Sequence, residues 1–478
     1  MSTYKHGAVA SQMPSADMIA PQNGGLIPVY IGIAPVHQLQ NYTQSVNKPL
    51  LARSFEEACK LCGYHDTNWH EFDLSEPIYA HFKNTIGPIG PIVLINVMDP
   101  STHRSVEKTY TVTLTGGTGK IVNDKVILNT ISITGKDLGV DYSAVYSTDG
   151  STVEITALKD LGSSVSVKAF EIDIAQVTHT VVVGGVTDGI KKGLSVLSQV
   201  YPELNLIPNI LDSPGWSHIK TVRDALIAAS KGINGHWQAF VNTNLLATSS
   251  VNTIQKAIDW KKSNGYNGAN ESPCWPCGKN GTRIFHLSTL ATLEMCRQAV
   301  FNDGYPCESP SNKAIDITCV CLSDGTPVVF DQIEANDLNA KGLKTAIYFG
   351  GKHVLWGPHT GAYEFGTAMD PVNIFDGSKL MSLFILNDFQ NRYAHLIDTS
   401  IKRSTIETIK NDYQERLDRM PLLYGNIEFS EFGNPVSDMV SGDFVFNVST
   451  TPRGMMKSIE GVMRYTVIGY KSLFGGEK

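Results

Sequence analysis

The sequence predicts an α/β protein interrupted by an all-β insertion, the class α/β plus β. Three stretches carry that expectation. Leu204 to Asn242 reads as a short apolar run, a turn on Ser213-Pro214-Gly215, a helix and a second apolar run, which is the repeating unit of a parallel sheet. Tyr110 to Gln176 is instead rich in Thr, Val, Ile, Ser and Gly, with apolar residues at alternate positions and regular turn signals. From Leu380 onward the pattern is first helical, then extended.

In the first stretch Pro214 and Gly215 stop regular structure, and Ser217 is placed to cap the next helix. Ile219, Val222, Leu226 and Ala229 fall on one face of that helix, which suits packing on a sheet. Trp237 to Val241 then reads as buried strand. Ser217 and His218 at a strand-to-helix turn, with Asp212 and Asp224 nearby, raise the alternative of an α/β hydrolase or protease. Gly215-Trp216-Ser217-His218-Ile219 lacks the second glycine of a nucleophile elbow. Adjacent helical residues also point about 100° apart, so these two side chains would not pair with each other. The favoured role for Ser217 is a cap.

At 478 residues the chain is expected to hold about three domains. A composition 42% hydrophobic and 18% charged excludes a largely disordered chain. The net charge of −7, with no more than two adjacent Lys/Arg anywhere, argues against a nucleic-acid surface. Met1 to Met18 has no apolar core of signal-peptide length, and no later run approaches a membrane span. The expectation is a chain made and kept in the cytoplasm until something releases it, with no direct membrane insertion. Cys59-x-x-Cys62 and Cys274-x-x-Cys277 have zinc-ligand spacing but lie more than two hundred residues apart, the first pair inside a helical pattern. Cys319 and Cys321 alternate as buried small hydrophobes do. Unpaired thiols are expected, with no metal and no cofactor; Cys274 and Cys277 alone keep some prospect of metal or disulfide chemistry.

Taken in order, Met1 to Gly25 is polar with no helical period, and Leu26 to Ala34 is a buried strand. Ser54-Phe-Glu-Glu57 fits a capping box opening a helix to about Gly63. A second helix opens at Ser75 with Pro77 in its first turn, and Pro91 to Val97 is another buried strand. The β insertion shows four strands, at Tyr110–Thr115, Val126–Leu128, Thr152–Thr156 and Val165–Ile174, with Asp149-Gly150 a tight turn. Gly116-Gly-Thr-Gly-Lys120 misses the phosphate-loop spacing and reads as a hairpin turn. The α/β pattern resumes at Thr180-Val-Val-Val-Gly184, followed by a helix aligning Ile190, Leu194 and Leu197, and another marked by Val251, Ile254 and Ile258. Asn264 to Gly281 reads as an exposed loop carrying Trp275; Leu287 to Val300 as a buried helix; Ala335 to Lys344 as a loop, and Ile347 to Trp356 as a strand. Leu380 to Ile397 is apolar on most faces and must be covered. Ser404-Thr-Ile-Glu407 is a second capping box, opening a helix with Ile406, Ile409, Tyr413, Leu417 and Met420 in one stripe. Asp443 to Val448 is a strand, Pro452 opens a short helix, and Met463 to Tyr470 is strand-like.

Several segments, in chain order, resemble the tail sheath proteins of contractile bacteriophages and phage-like particles. Tyr30-Ile-Gly-Ile-Ala34, Asn47-Lys-Pro-Leu-Leu51 and Ser54-Phe-Glu-Glu57 are similar to that family's opening strand and first helix. His81-Phe-Lys-Asn84 before Ile92–Val97, Leu211 to Ser217, Ser309-Pro-Ser-Asn312, Lys341-Gly-Leu and Trp356-Gly-Pro-His-Thr360 resemble its later signatures. Lys344 stands where many members carry Asn, and Pro358-His359 replaces a commoner small-Arg pair. The match leaves out residues 99 to 180, as an insertion would.

The resemblance implies a subtilisin-like α/β domain lacking a catalytic triad, discontinuous over 26–98 and 181–350. It implies an outward-facing β-sandwich at 99–180, an α+β inner domain at 351–461 built from both chain ends, and extended arms at 1–25 and 462–478. It implies no enzyme. The subunit polymerises as stacked hexameric rings around a tail tube, contracts, and meets tube, baseplate and tail terminator proteins in a virion tail assembled in the bacterial cytoplasm. Tyr4, Val9, Met13, Tyr465, Val467, Gly469 and Tyr470 are the expected arm contacts between subunits, because an extended segment can add a strand to a neighbour's sheet. Arg453 and Lys457 are the expected tube-facing cations. A carbohydrate-binding adhesin remains a minor third reading, resting on the β insertion and exposed aromatics.

Overall fold

Short apolar runs that begin at Pro form strands β1 (Pro28–Gly32) and β2 (Pro49–Ala52). The computed structural model describes residues 25–430, 432–452 and 454–463. Helix α1 (Phe55–Cys62) starts at Ser54, whose hydroxyl accepts the Glu57 N–H at 3.2 Å. The expected box is only half formed, since the Glu57 carboxylate takes the Arg53 N–H instead, at 2.7 Å. α2 (Ser75–Phe82) and β3 (Ile92–Asn96) follow as expected.

The insertion holds six strands: β4 (Lys108–Thr113), β5 (Thr118–Ile121), β6 (Ser132–Ile133), β7 (Tyr142–Tyr146), β8 (Val153–Ala157) and β9 (Ser164–Ala169). They form two antiparallel sheets, ordered β4-β9-β6 and β5-β8-β7. One apolar core joins them, with Val112, Val126, Val153, Ile155 and Val167 buried. Val126–Leu128 is no strand: Val126 makes a single bridge to Glu171, and Leu128 begins a 3-10 turn.

Beyond the insertion the expected strand at Thr180 is a short helix, α3 (His179–Val183), whose Val182 is buried. β10 (Gly185–Thr187) and β11 (Ile190–Lys192) form an exposed hairpin, so Ile190 is not helical; Leu194 and Leu197 lie in a 3-10 segment. Next come α4 (Val200–Leu204), β12 (Ile210–Asp212), α5 (Lys220–Ala229), β13 (Phe240–Asn244), α6 (Ile254–Asn264) and β14 (Glu271–Cys274). The strand expected at Trp237 begins three residues later, because Ile233 to Trp237 first closes a turn. β15 (Cys277–Asn280) and β16 (Arg283–His286) precede the buried helix α7 (Leu287–Phe301), and β17 (Cys319–Cys321) pairs back on β15. Trp275 is buried between β14 and β15, donating its Nε1–H to the Val251 carbonyl at 3.2 Å, so the expected exposed loop is two strands around a packed indole. Residues 332–339 are a helix, α8 (Gln332–Asn339), capped reciprocally by Asp331 and Glu334. β18 (Thr345–Phe349), β19 (Lys352–Trp356) and α9 (Asp376–Tyr393) complete this part of the chain.

The main sheet runs β14-β13-β12-β1-β3-β2, parallel throughout except for the β2–β3 pair at its edge. Alternation along each strand assigns its two faces. Leu211 and Val241 pack with Val222 and Leu226 of α5, whereas Ile210 and Phe240 pack with Met295 and Ala299 of α7. Helices therefore cover both faces, as a parallel sheet requires.

The chain divides into two units, Met1–Lys402 and Arg403–Lys478. In the second, α10 (Arg403–Arg419) buries Ile409, Tyr413 and Leu417, the expected stripe, against the hairpin of β20 (Leu423–Glu428) and β21 (Asn447–Pro452), with α11 (Val436–Ser441) between the strands in sequence. A Cβ on Gly425 would stand 3.0 Å from Leu417 Cβ, so the glycine sets how closely the helix approaches the strand. Pro452 ends β21 and opens no helix: residues 454–463 have no regular structure.

Candidate functional site

The turn after β12 sits at the carboxyl ends of parallel strands, the usual place for a site on such a sheet. Ser217 is fully buried there, and its Oγ accepts the Asn244 N–H at 2.9 Å. It caps nothing. α5 begins at Lys220 with Ile219 at the N-cap position, because a turn closed by Ser217 N–H on the Ser213 carbonyl uses up the intervening residues. Beneath it Asn244 Nδ2 donates to Ser288 Oγ at 2.6 Å, and Ser288 Oγ donates to Asp212 Oδ1 at 2.9 Å. Burial pushes the Asp212 carboxyl up to about 8.

His218 lies on the other side of the turn, lining a cavity of about 430 Å³ with Asp73, Glu76, Trp216, Cys277 and His286. Burial holds the His218 imidazole down to about 4. Asp73 occupies space left by Gly32, where a Cβ would stand 1.8 Å from its Oδ1. Its carboxylate accepts from Ile33 N–H at 2.9 Å and Trp216 Nε1–H at 2.6 Å, while burial raises it well above the carboxylate range. Glu76 receives both the backbone N–H and the Nδ1–H of His286, each at 2.7 Å. Against the cost of burial, that carboxylate holds the His286 imidazole above its ordinary value.

A carboxylate-backed imidazole is half of a nucleophilic site. The turn residue beside the His286 ring is Gly215, where a Cβ would lie 3.9 Å from Cε1, and Ser217 is directed into Asn244. Ser217 and His218 are thus not brought together as nucleophile and base. The residues that do meet, Asp73, Glu76, Trp216 and His286, were missed in the sequence. They are up to 213 positions apart, and their only local signal is the capping-like position of Asp73 before α2.

The second candidate surface is the β20–β21 hairpin. The Gln414 side chain of α10 donates to the Gly425 carbonyl at 2.9 Å and accepts the Ile427 N–H at 3.1 Å. These groups therefore point away from β21, and by antiparallel alternation Tyr424, Asn426 and Glu428 bond inward to Thr451, Ser449 and Asn447. The outer edge of β20 is thus bonded to its own helix. On β21 the outward groups are those of Val448 and Thr450, with the Pro452 carbonyl.

Lys457 is exposed on the irregular segment beyond β21. Arg453, Tyr4, Val9, Met13, Tyr465, Val467, Gly469 and Tyr470 lie outside the described residues.

No family model matches the chain. The tail sheath protein of Burkholderia phage BcepMu is 23% identical over 384 residues, spanning 76% of this chain and 79% of the relative. Among solved structures, the sheath of an extracellular contractile injection system in its contracted state matches with a TM-score of 0.54 at 12% identity, over 98% of this chain and 99% of that one. This is the fold of a contractile sheath protein. A sheath tail protein from Desulfitobacterium hafniense matches with a TM-score of 0.50 at 10% identity, over 89% of this chain and 93% of that one. The relative and both solved structures are sheath proteins, and Ser217 Oγ is committed to the Asn244 N–H.

Proposed function

We propose that the chain is the sheath subunit of a contractile tail, polymerising as stacked hexameric rings around a tail tube and shortening to drive that tube through a cell envelope. The observation that carries this reading is the alignment of three-quarters of the sequence with a phage tail sheath protein. The six-stranded body corresponds to the subtilisin-like α/β domain without a triad, residues 99–180 to an outward insertion, and residues 351–461 to the inner domain. Tube, baseplate and tail terminator proteins are the partners, and the assembled particle acts outside the cell that made it.

Among the described residues no strand pairs with the outer edge of β21, which supports the mode of assembly. A hairpin with one edge bonded to its own helix accepts an added strand on the other, through backbone hydrogen bonds. The chain ends, with Tyr4, Val9 and Met13 on one and Tyr465, Val467, Gly469 and Tyr470 on the other, are the segments proposed to supply it in neighbouring subunits. Such contacts are heterologous and do not close on themselves, which generates a helical lattice. If the arms tether subunits, bodies can rotate and repack while the lattice stays connected. Arg453 and Lys457 face the tube in this reading.

Electron microscopy of the purified protein, intact and lacking residues 1–20 or the last twelve, tests it. Tubes from the intact chain and folded protein without long tubes from both truncations are expected. Normal tubes from both truncations would exclude the tether role.

A further inference from the structure

Cys277 on β15 and Cys321 on β17 are directly opposed in antiparallel register. Opposed residues point to the same face, and both side chains sit in one apolar cluster with Trp275 and Leu322, whereas the intervening Val320 joins the cluster on the other face. Both thiols are unpaired. Opposed antiparallel positions have Cα separations of about 4.5–5.5 Å, inside the range that a disulfide spans. Cys277 also lines the 430 Å³ cavity beside Ser323 and His286, which gives a small reagent a route to β15.

We infer that Cys277 and Cys321 form a cross-strand dithiol site that a small organic disulfide oxidises to an intramolecular bond. The Cys277 thiolate attacks one sulfur of the reagent, giving a mixed disulfide and one released thiolate. The Cys321 thiolate then attacks the Cys277 sulfur, closing the protein bond and releasing the second. The two protons lost by the cysteines end on the two small thiols, so one disulfide is reduced for each one formed. Cys319 lies two residues along the same strand, opposite Lys279, and is the competing thiol.

Burial holds Cys277 well above the usual thiol range and Cys321 up to about 12, so the thiolates are scarce at neutral pH. The reaction is therefore slow in a reducing cytoplasm and accumulates with time under oxidising conditions. It does not depend on assembly. The full-length protein is incubated with bis(2-hydroxyethyl) disulfide at pH 7.5, 8.5 and 9.5, quenched in acid, denatured and alkylated. Two of the eight thiols are expected to become resistant to alkylation, with the Cys277 and Cys321 peptides joined and the rate rising about tenfold per pH unit. Cys277→Ser is expected to keep Cys321 alkylatable, and Cys319→Ser to leave the bond unaffected. Eight alkylatable thiols after prolonged exposure at pH 9.5, or a bond mapped to any other pair, overturns the assignment.

Discussion

Lys344 and Asp376 form an ion pair whose side chains are both fully shielded from solvent. The Lys344 ammonium also donates to the Gly357 carbonyl at 3.0 Å, and Asp376 Oδ1 accepts the Gly377 N–H at 2.6 Å. The pair ties the start of β18 to the start of α9. Removing one partner leaves a bare charge in the interior, which costs about 3–5 kcal/mol, whereas replacing both need cost little. Lys344→Met is expected to lose that much in urea unfolding, and Lys344→Met with Asp376→Asn to recover most of it. Equal losses in the single and double variants would mean that packing, not charge, is at stake.

Asp212 is the second buried carboxyl with a measurable consequence. Its folded value is raised to about 8 by burial, against about 3.9 in an unfolded chain. A raised value means the folded state binds the extra proton, so the stability it supports is full below pH 4 and is lost as pH climbs from about 4 to 8. The slope is at most about 1.4 kcal/mol per pH unit. Asp212→Asn keeps an acceptor for Ser288 and cannot ionise. The variant is expected to be more stable than the parent at pH 8 and to show a flatter profile between pH 5 and 8, read from denaturation midpoints.

His37 works in the opposite direction, at the seam between the main sheet and the insertion. Its Nε2–H donates to the Asp124 carbonyl at 2.7 Å, and the ring stacks on Phe72. Burial lowers it to about 4. Lowered from an unfolded value near 6.5, its contribution is full above that pH and is lost as pH falls towards 4, roughly 3 kcal/mol in all. Asp124, held at about 2 chiefly by the His65 imidazole 3.3 Å from its carboxylate, loses its own contribution only below that window. Hydrogen-exchange protection factors at residues 121–126, corrected for the intrinsic rate at each pH, are expected to fall between pH 6.5 and 4.5 in the parent and to change much less in His37→Gln, which keeps the donor.

The buried strands and amphipathic helices were legible because their information is local. β1, β3, α2, α7 and the stripe of α10 all fall where periodicity and caps place them. The misplaced elements are those in which tertiary context decides. Thr180–Val183 has strand composition, yet it closes a short helix over the sheet. Trp275 sits among turn residues but fills the core. α8 is the exception, since Asp331 and Glu334 carry a local capping pattern. Lys344 looked like a minor departure from a family signature, and nothing near it in sequence announces Asp376. For the cavity, His286 and Glu76 are 210 positions apart, and no single-sequence pattern links them.

The asymmetry of the hairpin in the second unit gives the sharpest test of assembly. Gln414 occupies the outward Gly425 carbonyl and Ile427 N–H, and among the described residues no strand pairs with the outer edge of β21. Thr450→Pro removes an outward N–H from β21 while sparing the inward bonds of Ser449 and Thr451. If a neighbour's arm adds to β21, this variant keeps its folded circular-dichroism spectrum and monomer melting but fails to form long tubes. Gln414→Ala frees the β20 edge, costing about 1–3 kcal/mol for the groups left unpaired, and should not impair tube formation at low temperature. The opposite ranking, with intact tubes from Thr450→Pro and none from Gln414→Ala, would move the strand-adding edge to β20 and make Gln414 a plug that the arm displaces.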